Sequence, residues 1–282
     1  MILANTRQEL HEQLADWRQN GDRIALVPTM GNLHSGHMSL VNLAREQAER
    51  VVVSIFVNPT QFGEDEDYEQ YPRTLERDTR RLKKPAADLI FVPDVETVYP
   101  FGVKDATTIS VPRITENFCG ASRPGHFNGV TSVVARLFAL VQPDVAIFGQ
   151  KDYQQQLVIR HMSRDLNLPI KIITGETIRE KDGLAMSSRN QYLSEDDRVK
   201  AATLFKVLSE AGAELQSGQR NFEELEAKSV AKLSDASFAV DYFSIRRALN
   251  LEMPDRDCDE LVVLAAASLG HARLIDNIVI TI

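Results

Sequence analysis

Cysteine is scarce: Cys119 and Cys258 are the only two in 282 residues. They can build no disulfide framework, and they lack metal-ligand spacing. A reducing, cytoplasmic compartment is the expectation. Long hydrophobic runs are absent, because charges interrupt every apolar segment, so no membrane span is expected. The first twenty residues are polar and helix-like (Arg7, Glu9, His11, Glu12, Asp16, Arg18), which predicts no secretory signal. Glycine (14) and proline (11) are too few for a fibrous or low-complexity chain. An excess of positive charge is missing too: 32 basic side chains stand against 40 acidic ones, a net −8. Such a chain makes a poor general nucleic-acid binder, since phosphate contacts need a basic face.

Several catalytic signatures are also missing. There is no G-x-x-x-x-G-K-[ST] phosphate loop, no G-x-G-x-x-G and no G-x-S-x-G. His11-Glu12 has no His at position 15, so it is not a zinc-protease helix.

What is present reads as an α/β protein. Buried strands are predicted at 23–28, 51–57, 88–92, 144–148 and 170–173, with a weaker one at 109–111. Helices are predicted at 38–50, 72–84, 128–141 and 152–166. The alternation argues for a Rossmann-like parallel sheet covered on both faces. Ligands of such sheets sit at the carboxyl ends of the strands. Beyond about residue 190 the rhythm changes. A helix opens with Ser194 as N-cap and stops at Ser217-Gly218; a second covers 222–233. Short strands follow at 239–245, 261–267 and 273–280. We therefore expect a domain at 1–180 and a smaller α+β domain at 181–282. Net charge is −2 over residues 1–175 and −6 over the rest, so the first part is the better host for an anion.

Chemistry concentrates in four segments. Pro28-Thr-Met-Gly-Asn-Leu-His34-Ser-Gly-His37 links the first predicted strand to the first predicted helix. Two imidazoles at a helix N-terminus can serve an α-phosphate, whereas two idle loop histidines would be the structural alternative. Phe148-Gly-Gln-Lys151-Asp152 puts a cation at a helix start, an unfavourable choice for the dipole that suggests function. Asp152 also reads simply as the cap of that helix. Lys181-Asp-Gly-Leu-Ala-Met186-Ser187-Ser188-Arg189-Asn190 offers hydroxyls and a guanidinium for a triphosphate, or is a polar linker. Phe56-Val-Asn58-Pro-Thr-Gln61-Phe62 offers neutral amides for hydroxyl and carboxylate groups, with turn duty as the alternative for Asn58. Arg123 before a helix could face an anion, and Glu64-Asp-Glu-Asp67 reads as a solvated acidic loop.

Taken together, and with Tyr71-Pro-Arg-Thr74, Ser122-Arg-Pro-Gly-His126, Gln142-Pro-Asp144 and Ala272-Arg-Leu-Ile-Asp-Asn277, these segments resemble the pantothenate synthetase (pantoate–β-alanine ligase) family along nearly the whole chain. The resemblance implies a nucleotidyltransferase fold and two half-reactions. Pantoate attacks the α-phosphate of Mg-ATP to give pantoyl adenylate and pyrophosphate. The β-alanine amine then attacks the acyl carbon, giving pantothenate and AMP. Another nucleotidyltransferase of the same motif, acting on a small acid or phosphate acceptor, is the alternative.

The resemblance also assigns residues. His34, His37 and Lys151 take catalytic positions. Met30, Gly31, Asn32, Leu33, Ser35 and Gly36 fall in the first ATP-binding segment. Gly149, Gln150, Asp152 and Ile178 fall around the nucleotide, with Met186, Ser187, Ser188 and Arg189 at the triphosphate. Gln61, Gln155, Tyr71 and Arg123 take substrate positions, and Asp78 is the candidate metal ligand. Many members of the family carry Glu where this chain has Gln150. The sequence shows no dedicated base for the β-alanine amine; water, the departing phosphate and His37 all stay open. The resemblance further implies a homodimer. An acyl adenylate hydrolyses, so we also expect the smaller C-terminal part to close over the nucleotide about a hinge near 178–190 and exclude water.

Overall fold

A computed structural model describes residues 1–63, 68–255 and 257–282. The acidic loop at 64–67 lies outside the described residues. Six strands form a parallel sheet: β1 (Ile2–Ala4), β2 (Ile24–Thr29), β3 (Arg50–Ile55), β4 (Leu89–Phe91), β5 (Val145–Gly149) and β6 (Lys171–Gly175). Their spatial order is β1-β4-β3-β2-β5-β6. Helices α1 (Arg7–Gln19), α2 (Ser35–Gln47), α3 (Leu75–Leu82), α4 (Val95–Val98), α5 (Cys119–Ser122), α6 (His126–Val141) and α7 (Tyr153–Asp165) connect them.

Strand alternation builds two cores, one on each face. On β2, Ile24 and Leu26 join one cluster while Ala25 and Val27 join the other. On β5, Ala146 and Phe148 face the first and Val145 and Ile147 the second. The order reverses between β2 and β5, which are direct neighbours. A crevice therefore opens beyond their carboxyl ends, between the loops leading to α2 and α7.

The chain continues through α8 (Glu195–Ala201), α9 (Thr203–Gln216) and α10 (Phe222–Asp235) to an antiparallel sheet of β7 (Ala239–Arg247), β8 (Glu260–Leu269) and β9 (Ala272–Thr281). One face of this sheet packs on α9 and α10; Val263 and Ala265 meet Leu204, Leu208 and Leu215 there. The other face, with Val262 and Leu264, joins the core of the parallel sheet.

Some expectations need correction. No strand forms at 109–111. Ile109 instead hydrogen-bonds side chains of α6, its N–H to Ser132 Oγ (2.9 Å) and its carbonyl from Thr131 Oγ1 (2.6 Å). The edge strand β1 is absent from the sequence-based expectations, being only three residues long. Helix α2 begins at Ser35 rather than Met38, because His34 caps it. Helix α3 begins at Leu75, leaving Pro72 in the approach. The helix expected from Ser194 to Gln216 breaks at Ala202 into α8 and α9, although Ser194 does cap α8 through Asp197 N–H (3.1 Å).

Candidate active site

The crevice at the strand-order reversal is lined from both of its loops. Met30, His34, Gly36 and His37 come from the β2–α2 segment. Gly149, Lys151 and Asp152 come from the β5–α7 segment, and Gln155 from the first turn of α7. Gln61 and Tyr71 close one side. Ile178 and Met186–Arg189 close the other. Residues far apart in sequence thus meet in one cleft.

The two imidazoles are set by an unusual cap. His34 Nδ1 accepts the Gly36 N–H (3.2 Å), and His37 Nδ1 accepts the His34 N–H (3.2 Å). This is the reciprocal arrangement of a capping box, made with histidines in both places. Each Nδ1 is an acceptor, so the neutral ring carries its proton on Nε2. Both side chains are therefore donors toward a ligand. His37 cannot take a proton without giving up the His34 N–H, so the base role left open for it does not fit the ring's geometry. The rings lie 4.1 Å apart. Burial, then the neighbouring His37 and Lys151, pushes the His34 pKa down to about 3. Burial, then Lys151 and Arg81, pushes that of His37 down to about 4. Both rings are neutral near pH 7.

Lys151 sits in the 3-10 turn Gln150–Asp152. Its Nζ has no hydrogen-bond or ion-pair partner among the described residues. Asp152 precedes α7 but its side chain makes no cap hydrogen bond, which corrects the expected capping role. Ser187 accepts the Arg189 N–H (3.2 Å), and Ser188 Oγ donates to the Asn32 carbonyl (3.2 Å). The Met186–Arg189 segment already touches the histidine loop.

The amides sort themselves by burial. Gln61 Nε2 donates to Met30 Sδ (2.9 Å), and its Oε1 accepts from Asn58 (3.2 Å). Of the three consecutive glutamines, Gln154 holds backbone groups near Cys119 and Gln156 accepts from Thr174. Only Gln155 lines the cleft.

Seven expected site residues do not line this cleft. Gly31 makes the turn, at φ +81°, and a Cβ there would lie 3.2 Å from Asp78. The N–H groups of Asn32 and Leu33 donate to the Asp78 carboxylate (both 2.9 Å), and the Leu33 side chain is core. Asp78 is fully buried and also accepts from Thr74 Oγ1 (3.0 Å). Its oxygens anchor the histidine loop, so the metal-ligand role expected for it does not fit. Ser35 is the first residue of α2. Gln150 turns toward Asn277. Arg123 stands behind Gln61, donating to its carbonyl (3.4 Å) and lying 3.1 Å from His126.

Sequence reasoning missed the apolar wall. Val130, Val133, Val134 and Leu137 of α6 line the cleft. Their spacing signals a buried helix face and nothing more. Thr177 was missed as well; its hydroxyl is buried without a partner among the described residues.

Comparison with known proteins gives the family of the chain. The family model described as pantoate-beta-alanine ligase matches residues 2–279. A pantothenate synthetase of Methylococcus capsulatus is 50% identical over 282 residues, covering 100% of this chain and 99% of that relative. One of Azotobacter vinelandii is also 50% identical, covering both chains completely. The crystal structure of pantothenate synthetase from Thermus thermophilus superposes with a TM-score of 0.92 at 43% identity, covering 99% of each chain. A pantoate-beta-alanine ligase structure from Francisella tularensis, described as complexed with beta-gamma ATP and β-alanine, gives 0.81 at 33% identity, covering 99% of this chain and 97% of that one. With a family model spanning nearly every residue and relatives at half identity over the full length, the chain belongs to the pantoate-beta-alanine ligase family.

Proposed function

We propose that the chain joins pantoate to β-alanine at the expense of ATP, in two steps within the one cleft. A pantoate carboxylate oxygen bonds to the α-phosphorus as the bond to pyrophosphate breaks. The β-alanine nitrogen then bonds to the acyl carbon, AMP leaves, and the amine proton goes to solvent or to the departing phosphate. The first step needs no base, only positioning and relief of charge on phosphate.

The observation that carries this reading is the convergence of two Nε2–H donors, one lysine without a partner among the described residues, and a neutral amide pair. His34 and His37 serve the α-phosphate. Lys151, Ser187, Ser188 and Arg189 serve the leaving phosphates, with the remaining nucleotide contacts from Gly149, Asp152 and Ile178. Gln61 and Gln155 suit the hydroxyls and carboxylate of pantoate, and the α6 wall suits its two methyl groups. Tyr71 flanks the approach of the second substrate, and Arg123 steadies the Gln61 backbone from behind.

Mg²⁺ fits as a passenger on the triphosphate. Among the described residues the cleft offers two carboxylates, Asp152 and Glu176, and no cluster of three His, Cys, Asp or Glu side chains occurs. Bound there, the ion would neutralise phosphate charge, with phosphate oxygens and water completing its shell.

We also read residues 1–180 as the substrate domain and 181–282 as a lid that excludes water from the adenylate. Both cysteines are free thiols, which supports a cytoplasmic setting, and no helix among the described residues is long and apolar enough to cross a membrane. A homodimer is the assembly expected of the family.

The test is ATP–pyrophosphate exchange with pantoate and β-alanine each supplied or omitted. Exchange with pantoate alone, and AMP release only with both, is expected. Exchange without an organic acid, or no AMP with the pair, overturns the reading.

A further inference from the structure

The strand β9 is apolar along most of its length: Leu274, Ile275, Ile278 and Ile280. Within it stand two consecutive polar side chains, Asp276 and Asn277, 3% and 2% exposed. Burying polar groups in such a strand is costly unless each is matched. Both are matched, and by the two segments that carry the phosphate-binding groups.

Asn277 Nδ2 donates to the backbone carbonyls of Gln150 (2.9 Å) and Lys151 (3.0 Å). Its Oδ1 accepts from Gln150 Nε2 (3.4 Å). The 3-10 turn it grips has no side-chain cap of its own. The Lys151 ammonium has no partner among the described residues, so its aim depends on where its backbone is held.

Asp276 takes Arg179 in a two-pronged pair, at 2.6 and 2.9 Å. Arg179 also donates to the Gly183 carbonyl (3.0 Å) and stacks on Phe205, 3.7 Å from the ring centre. It thereby braces the tight turn where Arg179 bridges Ala185 and Met186 N–H meets the Ile178 carbonyl (2.9 Å). That turn delivers Ser187, Ser188 and Arg189. Alternation sends neighbouring side chains of a strand to opposite sides. One dipeptide can therefore reach two loops at once.

We propose that Asp276 and Asn277 are positioning residues for adenylate formation: a two-sided clamp that sets Lys151 and the Met186–Arg189 segment in register around the triphosphate. This rests on the ligase reading above. The clamp touches neither the reacting acyl carbon nor the amine. Its loss belongs to the first half-reaction and spares the second.

The experiment compares the two half-reactions in full-length enzyme. Asn277→Ala is expected to slow pantoate-dependent ATP–pyrophosphate exchange about 10²-fold, the cost of a misplacement near 1 Å. Conversion of supplied pantoyl adenylate and β-alanine to pantothenate stays at the wild-type rate. Asp276→Asn keeps the side-chain shape and carries the same test should Asn277→Ala fail to fold. It raises KM for ATP and leaves the second half-reaction unchanged. Parallel loss of both half-reactions in the folded variants overturns the clamp, as does unaltered exchange. Absence of exchange in the wild-type enzyme instead overturns the functional reading, so the two failures are distinguishable.

Discussion

His34 and His37 show what one residue's surroundings decide. In an unfolded chain an imidazole protonates near pH 6.5. Here the folded values are pushed down to about 3 and about 4. Between about pH 6.5 and 4, the unfolded chain binds protons that the native chain refuses. Stability from these groups therefore falls as the pH drops through that window, and above it they contribute no pH dependence. Proton NMR of the ligand-free enzyme, assigned with His→Gln variants, should show neither ring titrating between about pH 7.5 and 5. A midpoint near 6.5 for either one would contradict the buried, neutral pair. The motif itself was legible in sequence. The Nε2–H form was not, since it depends on which backbone amide meets each Nδ1.

At the scale of elements, α3 illustrates a helix holding a loop. Asp78 on its first turn replaces solvent for the amides of Asn32 and Leu33, two residues beyond the glycine turn. Asp78→Ala should lower the unfolding free energy by about 2 kcal/mol or more, because each orphaned amide costs about 1–3 kcal/mol. Urea denaturation measures this, and the Mg²⁺ dependence of the folded variant should be unaltered. A shifted Mg²⁺ requirement with full stability would return Asp78 to the metal. Another contact of this kind is Gly129 on α6, where a Cβ would come within 2.2 Å of the Thr60 carbonyl. That closeness seats the turn carrying Asn58 and Gln61 directly on the helix. From sequence, Gly129 is merely a weak helix former, and nothing local marks Asp78, the candidate metal ligand, as a loop anchor. Their partners lie 69 and 46 positions away, beyond any local pattern.

Over the whole molecule, the two sheets are less separate than their topologies suggest. Val262 and Leu264 of the antiparallel sheet belong to the same apolar cluster as Leu26 and Phe148 of the parallel one. Cores that interlock in this way unfold together. We expect one thermal transition, with far-UV circular dichroism and the fluorescence of Trp17 changing at the same temperature. Trp17 is a fair reporter because it is buried in α1, in the parallel-sheet half. Two resolved transitions would show that the lid folds as an independent unit. The lid movement proposed for the 178–190 region must accordingly be confined to a local flexing about the Arg179–Ala185 turn or involve sliding at that shared core.

Sequence alone determined the alternation of strands and helices, the loops that carry chemistry, and most of the residues that line the cleft. It could do so because buried parallel strands such as Val51–Ile55 are apolar almost throughout, and because Pro28–His37 and Phe148–Asp152 follow strands directly. Tertiary structure alone decided the reversal between β2 and β5 that opens the crevice. It also decided the neutral state of the imidazoles, the conversion of Asp78 from expected metal ligand to loop anchor, and the grip of Asp276 and Asn277. Each of these depends on long-range pairing and burial. A hydrogen bond between residues a hundred positions apart leaves no period in the sequence, and the solvation of a side chain is set only when the chain closes around it.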